Sequence, residues 1–402
     1  MIPYGRQWID DDDIKAVVDV LRSNFITQGP KIDEFERVLA ESCGAKYAVA
    51  VNSGTSALHI ACLAAGTGKG DDVITSPITF IASANCAAYC GSRPVFADIN
   101  TRTYNISVSK IEKKITDRTK IIIPVDFAGQ SADMEPVYIL AKEKGKEFNK
   151  KIFVIEDSSQ AQGSYYKGKA VGSCAFSDMT VMSFHPVKHI TTGEGGAVLT
   201  NDEELYWKLR KFRNHGITNI PGDFVNREEA FQHVEGELSE ALNPWYYEQI
   251  DLGYNYRITD IQCALGISQM KKLNRFIKRR REIVSMYNEF FGRIENIQTP
   301  YESPDCDSNF HLYILLVEWA RFGTTRAKFM AGLKKKGVHT QVHYIPVHTQ
   351  PFYRKNFGTG WGDCPNAEEY YRKCLSIPIY PAMTDDDIKN VAEAIRGTLN
   401  AG

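Results

Sequence analysis

The sequence lacks any run approaching the ~18 consecutive apolar residues that a membrane-spanning helix needs. It also lacks an excess of charge of either sign. Lys and Arg number 48 against 49 for Asp and Glu, a formal net charge of −1, which argues against nucleic acid or an anionic membrane as the main partner. No CxxC pair occurs among the nine scattered cysteines, and their number is odd. That spacing sets aside disulfide scaffolds and thiol-rich metal sites. Cys86 and Cys90 lie closest together, in an Ala-rich segment that reads as a helix carrying small buried residues. Internal repeats and low-complexity segments are missing too. Met1 to Tyr4 runs almost at once into Asp10 to Asp13, which is not the pattern of a signal peptide, so a cytoplasmic enzyme is the expectation.

What is present is the composition of a globular protein, 43% hydrophobic and 24% charged. At 402 residues the chain is too long for one ordinary domain, and two packed lobes are expected. Asp11 to Leu21 reads as a short helix with an acidic first turn, followed by a polar loop over Asn24 to Pro30 and a second helix over Lys31 to Ser42. From Lys46 short apolar runs alternate with helical stretches. Strands are expected at Tyr47 to Val51, Asp72 to Thr75, Pro94 to Ala97, Lys120 to Val125, Ile152 to Glu156, Met179 to Phe184 and Gly196 to Thr200. Such runs separated by helices imply an α/β fold with a mostly parallel sheet covered on both faces.

Residues 217–250 are polar, aromatic and aperiodic, and read as a long excursion that covers a site or reaches a partner. One long helix is expected from Thr259 through Lys278-Arg279-Arg280-Arg281, the four cations forming a solvated face. Beyond residue 300, strands at Phe310 to Val317 and Gln341 to Tyr344 and helices at Thr325 to Lys336 and Asp385 to Leu399 suit a smaller α/β lobe.

Three separated segments carry chemistry. Asn52-Ser53-Gly54-Thr55-Ser56 turns from a strand into a helix, where free N–H groups favour a phosphate. Asp157 closes a buried strand at the edge where parallel sheets place ligands; a helix-capping role is the plainer alternative. Ser183 to Lys188 leaves another strand and runs into Thr192-Gly193-Glu194-Gly195-Gly196, glycines that let the chain fold tightly beside something bulky. Together they fit a pyridoxal phosphate site, which needs a lysine, a carboxylate against the pyridine nitrogen and an anion cradle.

The motifs NSGTSAL, SPITF, EDSSQAQGS, SFHPVKHITTGEGGAV and LGYNYRITDIQCALG, in that order over nearly the whole chain, resemble the DegT/DnrJ/EryC1/StrS sugar aminotransferases. The resemblance implies a pyridoxal phosphate-dependent transferase of fold type I, with a large mostly parallel-sheet domain and a smaller C-terminal α/β domain. It divides the chain into residues 1–22 as an N-terminal helix packing with the small domain, 23–260 as the cofactor-binding domain, and 261–402 as linking helix and small domain. By position Lys188 would be the Schiff-base lysine and Asp157 the partner of the protonated ring nitrogen. Gln160 would lie near the ring oxygen and Phe80 would stack on the ring. Gly54, Thr55 and Ser183 would hold the phosphate. Asn255 would reach the phosphate of a neighbouring subunit, making a homodimer with shared sites. Tyr4, Asn24, Phe25, Ile26 and Thr27, together with Gln341, Val342, His343 and Tyr344, would surround the nucleotide sugar; some relatives carry a cation where Asn24 stands.

The implied reaction moves the amino group of L-glutamate to the C4 keto carbon of a UDP-linked 4-keto-6-deoxy-HexNAc sugar, with Lys188 as the proton carrier. A dehydratase branch of the family replaces the lysine by histidine, so Lys188 favours transamination. His185 and His189 read as packing or substrate-lining groups. The trio His339, His343 and His348 lacks a carboxylate or cysteine to complete a metal set, and no metal is expected. Other readings are another nucleotide-linked 4-keto or 3-keto sugar, a lyase or desulfurase using the same cofactor, and a regulatory protein that kept the fold. Lys188, Asp157 and Ser183 together speak against the last.

Overall fold

The computed structural model describes residues 1–233 and 240–399. Its centre is a seven-stranded sheet. In chain order the strands are β1 (Tyr47–Val51), β2 (Asp72–Thr75), β3 (Arg93–Phe96), β4 (Thr119–Ile123), β5 (Phe153–Asp157), β6 (Met179–Ser183) and β7 (Gly196–Thr200). They lie side by side as β1-β7-β6-β5-β4-β2-β3, and only β7 runs antiparallel to its neighbours. The strands are apolar on both sides because both faces are covered. Val49, Val51, Ile121, Ile155, Val181 and Val198 pack on one face against the helices Gly54–Ala64 and Ala82–Tyr89. Ala50, Met182, Ala197 and Leu199 pack on the other with Phe35, Phe184 and Ile258. This is the fold type I architecture expected.

A second core gathers the C-terminal part. Tyr313–Val317 lies between Ile297–Gln298 and Cys374–Ile377 in an antiparallel sheet covered by the helices Arg326–Lys335 and Asp385–Leu399. The first residues join it: Ile2 donates to Gly337 O (2.8 Å) and its carbonyl accepts from His339 N (2.9 Å). The helix Asp11–Leu21 rests instead on Asp260–Met270, where Gln269 Nε2 donates to Asp13 Oδ2 at 2.7 Å.

Three local expectations are corrected. The long helix after Thr259 is two helices, Asp260–Met270 and Leu273–Phe291. At the break the Lys272 ammonium pairs with Asp10 and Asp13. Of the cations there, Arg280 is buried, donating to the carbonyls of Phe310, His311 and Ile379, while Arg279 and Arg281 pair with carboxylates. Gln341 to Tyr344 is not a strand: Gln341 makes a single bridge to Ser376, after which His343 turns inward to Ser376 Oγ (2.8 Å). The excursion at 217–250 holds two short antiparallel pairings, Ile217–Thr218 with Glu248–Gln249 and Phe231–His233 with Glu240–Leu242; residues 234–239 of it lie outside the described residues.

Candidate functional site

A cleft of about 670 Å³ opens at the carboxyl ends of the parallel strands. That is where open α/β sheets place ligands. Its floor is made by the ends of β5 and β6, one wall by the first turns of the helices Gly54–Ala64 and Ala82–Tyr89, and the roof by residues 341–345 of the C-terminal lobe.

The turn into Gly54–Ala64 is held by a cap. Ser53 Oγ accepts the N–H of Ser56 (3.0 Å), and Ser56 Oγ donates to Asn52 Oδ1 (2.5 Å). Gly54 and Thr55 follow directly and face the cleft. A Cβ on Gly196 would stand 2.5 Å from Ser53 O, and one on Gly54 would stand 2.9 Å from Ser183 Cβ. Glycine at both places lets the turn lie flat on the sheet, its helix N-terminus aimed into the cleft beside the Ser183 hydroxyl. This is a cradle for a phosphate.

Asp157, buried at the end of β5, accepts from Ser83 Oγ (2.6 Å) and from Ser159 N (3.2 Å). Two further acids lie behind it. Burial pushes the Glu156 carboxyl up to about 7, against a hydrogen bond from Thr180. Burial and then the charge of Glu156 hold Asp126 well above the usual carboxylate range. Neither of these two acids lines the cleft, whereas Asp157 does.

Lys188 lines the same cleft and is half-buried. Burial pushes its amine down to about 8, with the charge of Asp157 pulling the other way. Three imidazoles around it are kept neutral. His311 and His189 are driven well below the ordinary histidine value, and His343 to about 4, burial leading in each case. At pH 7 about a tenth of Lys188 is therefore the free amine, against well under a thousandth for an ordinary lysine, which loses its proton at ~10.4. Cofactor-free protein should take up pyridoxal phosphate at a rate rising about tenfold per pH unit and levelling near pH 8. Stopped-flow absorbance across pH 6–10 reads this, and a rate still climbing at pH 10 would contradict it.

Of the residues expected at the site, Tyr4, Gly54, Thr55, Phe80, Asp157, Gln160, Ser183, Lys188 and Gln341 to Tyr344 all line this cleft. Phe80 is 57% exposed, with the Tyr344 ring 6.5 Å away and tilted. Gln160 accepts from Ala128 N (2.8 Å) and donates to the Tyr344 hydroxyl (3.0 Å), which ties the floor to the C-terminal lobe. Asn24 to Thr27 do not line it; they are exposed, and Phe25 borders a separate groove with Lys31 and Arg275. Asn255 is also exposed and outside it, its carbonyl accepting from Asn52 Nδ2 (3.4 Å). His185 lines the cleft, while His189 is buried against Asn309. His343 and His348 turn to different partners, Ser376 and Glu368.

Sequence reasoning missed Ser83, Glu194 and the placing of His311. Ser83 is one hydroxyl in an Ala-rich helix, and no local period links it to an acid 74 residues away. His311 lines the cleft with its buried Nδ1 lacking a hydrogen-bond partner. A lysine, a buried carboxylate, a helix-capped anion cradle and an exposed aromatic ring fit pyridoxal phosphate. Lys188 would hold its aldehyde carbon, Asp157 its ring nitrogen, and Gly54, Thr55 and Ser183 its phosphate.

Known proteins agree with this geometry. The family model for the DegT/DnrJ/EryC1/StrS aminotransferases matches residues 7–396. The UDP-4-amino-4,6-dideoxy-N-acetyl-beta-L-altrosamine transaminase of Campylobacter jejuni is 39% identical over 402 residues, covering 99% of this chain and 98% of that one. Among solved structures, Helicobacter pylori PseC, an aminotransferase of pseudaminic acid biosynthesis, superposes with a TM-score of 0.87 at 33% identity over the whole of both chains. The pyridoxal phosphate form of the sugar aminotransferase Spr1654 from Streptococcus pneumoniae gives a TM-score of 0.87 at 29% identity, covering 100% of this chain and 99% of that one.

Proposed function

The chain belongs to the DegT/DnrJ/EryC1/StrS aminotransferase family, a sugar aminotransferase with pyridoxal phosphate as cofactor, and from that premise we propose its substrates and the roles of its residues. The proposed reaction passes the amino group of L-glutamate to C4 of a UDP-linked 4-keto-6-deoxy-HexNAc, giving UDP-4-amino-4,6-dideoxy-N-acetyl-β-L-altrosamine. The observation that carries it is that Lys188 and Asp157 line one cleft together, the charge of Asp157 acting on the Lys188 amine. The choice of sugar is supported by the likeness to the Campylobacter enzyme.

When bound, the cofactor supplies an electron sink for the bond broken at the amino-bearing carbon. The residues supply the rest. Lys188 Nζ, with its lowered affinity for a proton, takes one from that carbon and returns it on the cofactor side. Asp157, oriented by Ser83, holds a proton on the ring nitrogen. Phe80 and the linked pair Gln160 and Tyr344 confine the ring, and Tyr4 and Gln341 to His343 wall the sugar side. Incubation with L-glutamate and a panel of UDP-4-keto-6-deoxy-HexNAc epimers tests the sugar; 2-oxoglutarate release is expected with one epimer above the others. Equal, slow release across the panel would reject it.

We propose also that two copies share their sites and work in the cytoplasm; among the described residues no helix is long and apolar enough to cross a membrane. Phe25, Ile26 and Asn255 are exposed and lie outside the chain's own cleft, which leaves them available to the second copy that this reading requires. Mixing Asn255→Ala with Lys188→Ala should restore activity, since each hybrid dimer then holds one intact site. Absence of recovery after proven subunit exchange counts against sharing.

A further inference from the structure

Six polar side chains that line the cleft are buried: Thr79, Ser83, Asp157, Gln160, His311 and His343. Five of them are hydrogen-bonded. The Thr79 and Ser83 hydroxyls meet at 2.7 Å, Ser83 donates to Asp157, Gln160 joins Ala128 to Tyr344, and His343 meets Ser376. The His311 ring makes no hydrogen bond among the described residues. Its Nδ1 is sealed in the protein, whereas Nε2 is not sealed and is the nitrogen that can meet a ligand in the cleft. A sealed N–H without a partner is rarer than a sealed acceptor without one, which assigns the ring proton to Nε2. The ring is also held in place. A Cβ on Gly129 would stand 2.7 Å from His311 N, Leu312 N donates to Ala128 O (3.3 Å), and the His189 ring lies tilted at 5.5 Å between centroids. Behind it the buried Arg280 donates to the His311 carbonyl at 3.1 Å and pairs with no carboxylate among the described residues.

A buried donor without a partner, with a buried positive charge behind it, suits an anion. The amino-acid donor brings two carboxylates into the cleft. No arginine lines it to receive them, and its one lysine is Lys188, which the reaction uses. We propose that His311 binds a carboxylate of the amino-acid donor, its Nε2–H donating to one carboxylate oxygen. The proposal rests on the reading that this donor is L-glutamate. Burial, and then the charge of Lys188, keeps the imidazole neutral, so it recognises the carboxylate by one directed hydrogen bond and not as a cation. The ring of the keto sugar offers only neutral oxygens, whose hydrogen bonds are roughly half as strong. Loss of His311 should therefore fall on the amino-acid half of the reaction.

The test measures the two halves apart. Cofactor-loaded protein is mixed with L-glutamate alone, and loss of the visible band gives the rate and the half-saturating concentration. Protein carrying the amine form of the cofactor is mixed with the keto sugar alone. His311→Phe keeps a ring and loses both nitrogens. It should raise the half-saturating glutamate concentration by about 10- to 100-fold while the sugar half stays within about threefold. Glutarate, a dicarboxylate with no amine to react, should lose affinity for the loaded protein by a similar factor in calorimetry, which reads binding without turnover. His311→Gln restores an N–H and should recover part of the loss. The visible band shows that each variant is folded and loaded; if His311→Phe does not load, His311→Leu takes its place. Unchanged glutarate affinity, an equal loss in the sugar half, or a His311→Gln variant no better than His311→Phe each overturns the proposal. A parent protein inert to L-glutamate rejects the donor, and the proposal with it. A parent that responds to L-glutamate but uses no sugar rejects the sugar alone, and the glutarate comparison then decides the role of His311.

Discussion

Lys188→Ala is expected to remove the visible absorption of the cofactor-loaded protein and to lower transamination by more than about 10⁴-fold. Two functions are lost at once, the covalent anchor and the proton carrier, and no other side chain on the cleft stands ready for either. His311 and His343 are the nearest bases, but burial drives both well below the ordinary histidine value, and His189 is buried against Asn309. Such weak bases abstract a carbon-bound proton poorly. The fold should survive, because Lys188 is only half-buried on the cleft wall and not part of a core cluster. Absorbance, far-ultraviolet circular dichroism and 2-oxoglutarate release check the three statements separately. An unchanged visible band in this variant would falsify the assignment of Lys188.

The strands of the large sheet were legible in the sequence to within a residue or two, since strands covered on both faces are short apolar runs between turns. The C-terminal lobe was less so. Val342 and His343 look like strand by residue type, yet Ser376 captures both the backbone of Gln341 and the ring of His343, a tertiary effect invisible locally. The break at Lys272 is likewise accompanied by contacts invisible locally, with Asp10 and Asp13 some 260 residues away in sequence. At the site, Lys188, Asp157 and the Gly54 turn could be read because each ends a strand or opens a helix. Ser83 could not, because its value lies in one bond to Asp157 across the sheet.

Asp157→Asn should produce the second-largest effect, and one that differs in kind. The visible band should remain, because Lys188 is intact, while kcat falls by about 10²- to 10³-fold, the usual loss when one preorganised electrostatic partner is removed. An amide cannot hold a proton on the ring nitrogen, so the cofactor withdraws electrons less well. The neighbours cannot substitute: burial raises Glu156 to about 7 and holds Asp126 well above the usual carboxylate range, and the two are engaged in hydrogen bonds with Thr180 and Ser158. A second consequence follows from charge. Asp157 is the group that raises the Lys188 amine against burial, so its loss lets burial act alone and the amine falls below about 8. The pH at which cofactor uptake levels should therefore move down in Asp157→Asn, even as turnover collapses. Activity within about threefold of the parent, or an uptake profile that stays at pH 8, would mean that Asp157 serves only to cap its own turn.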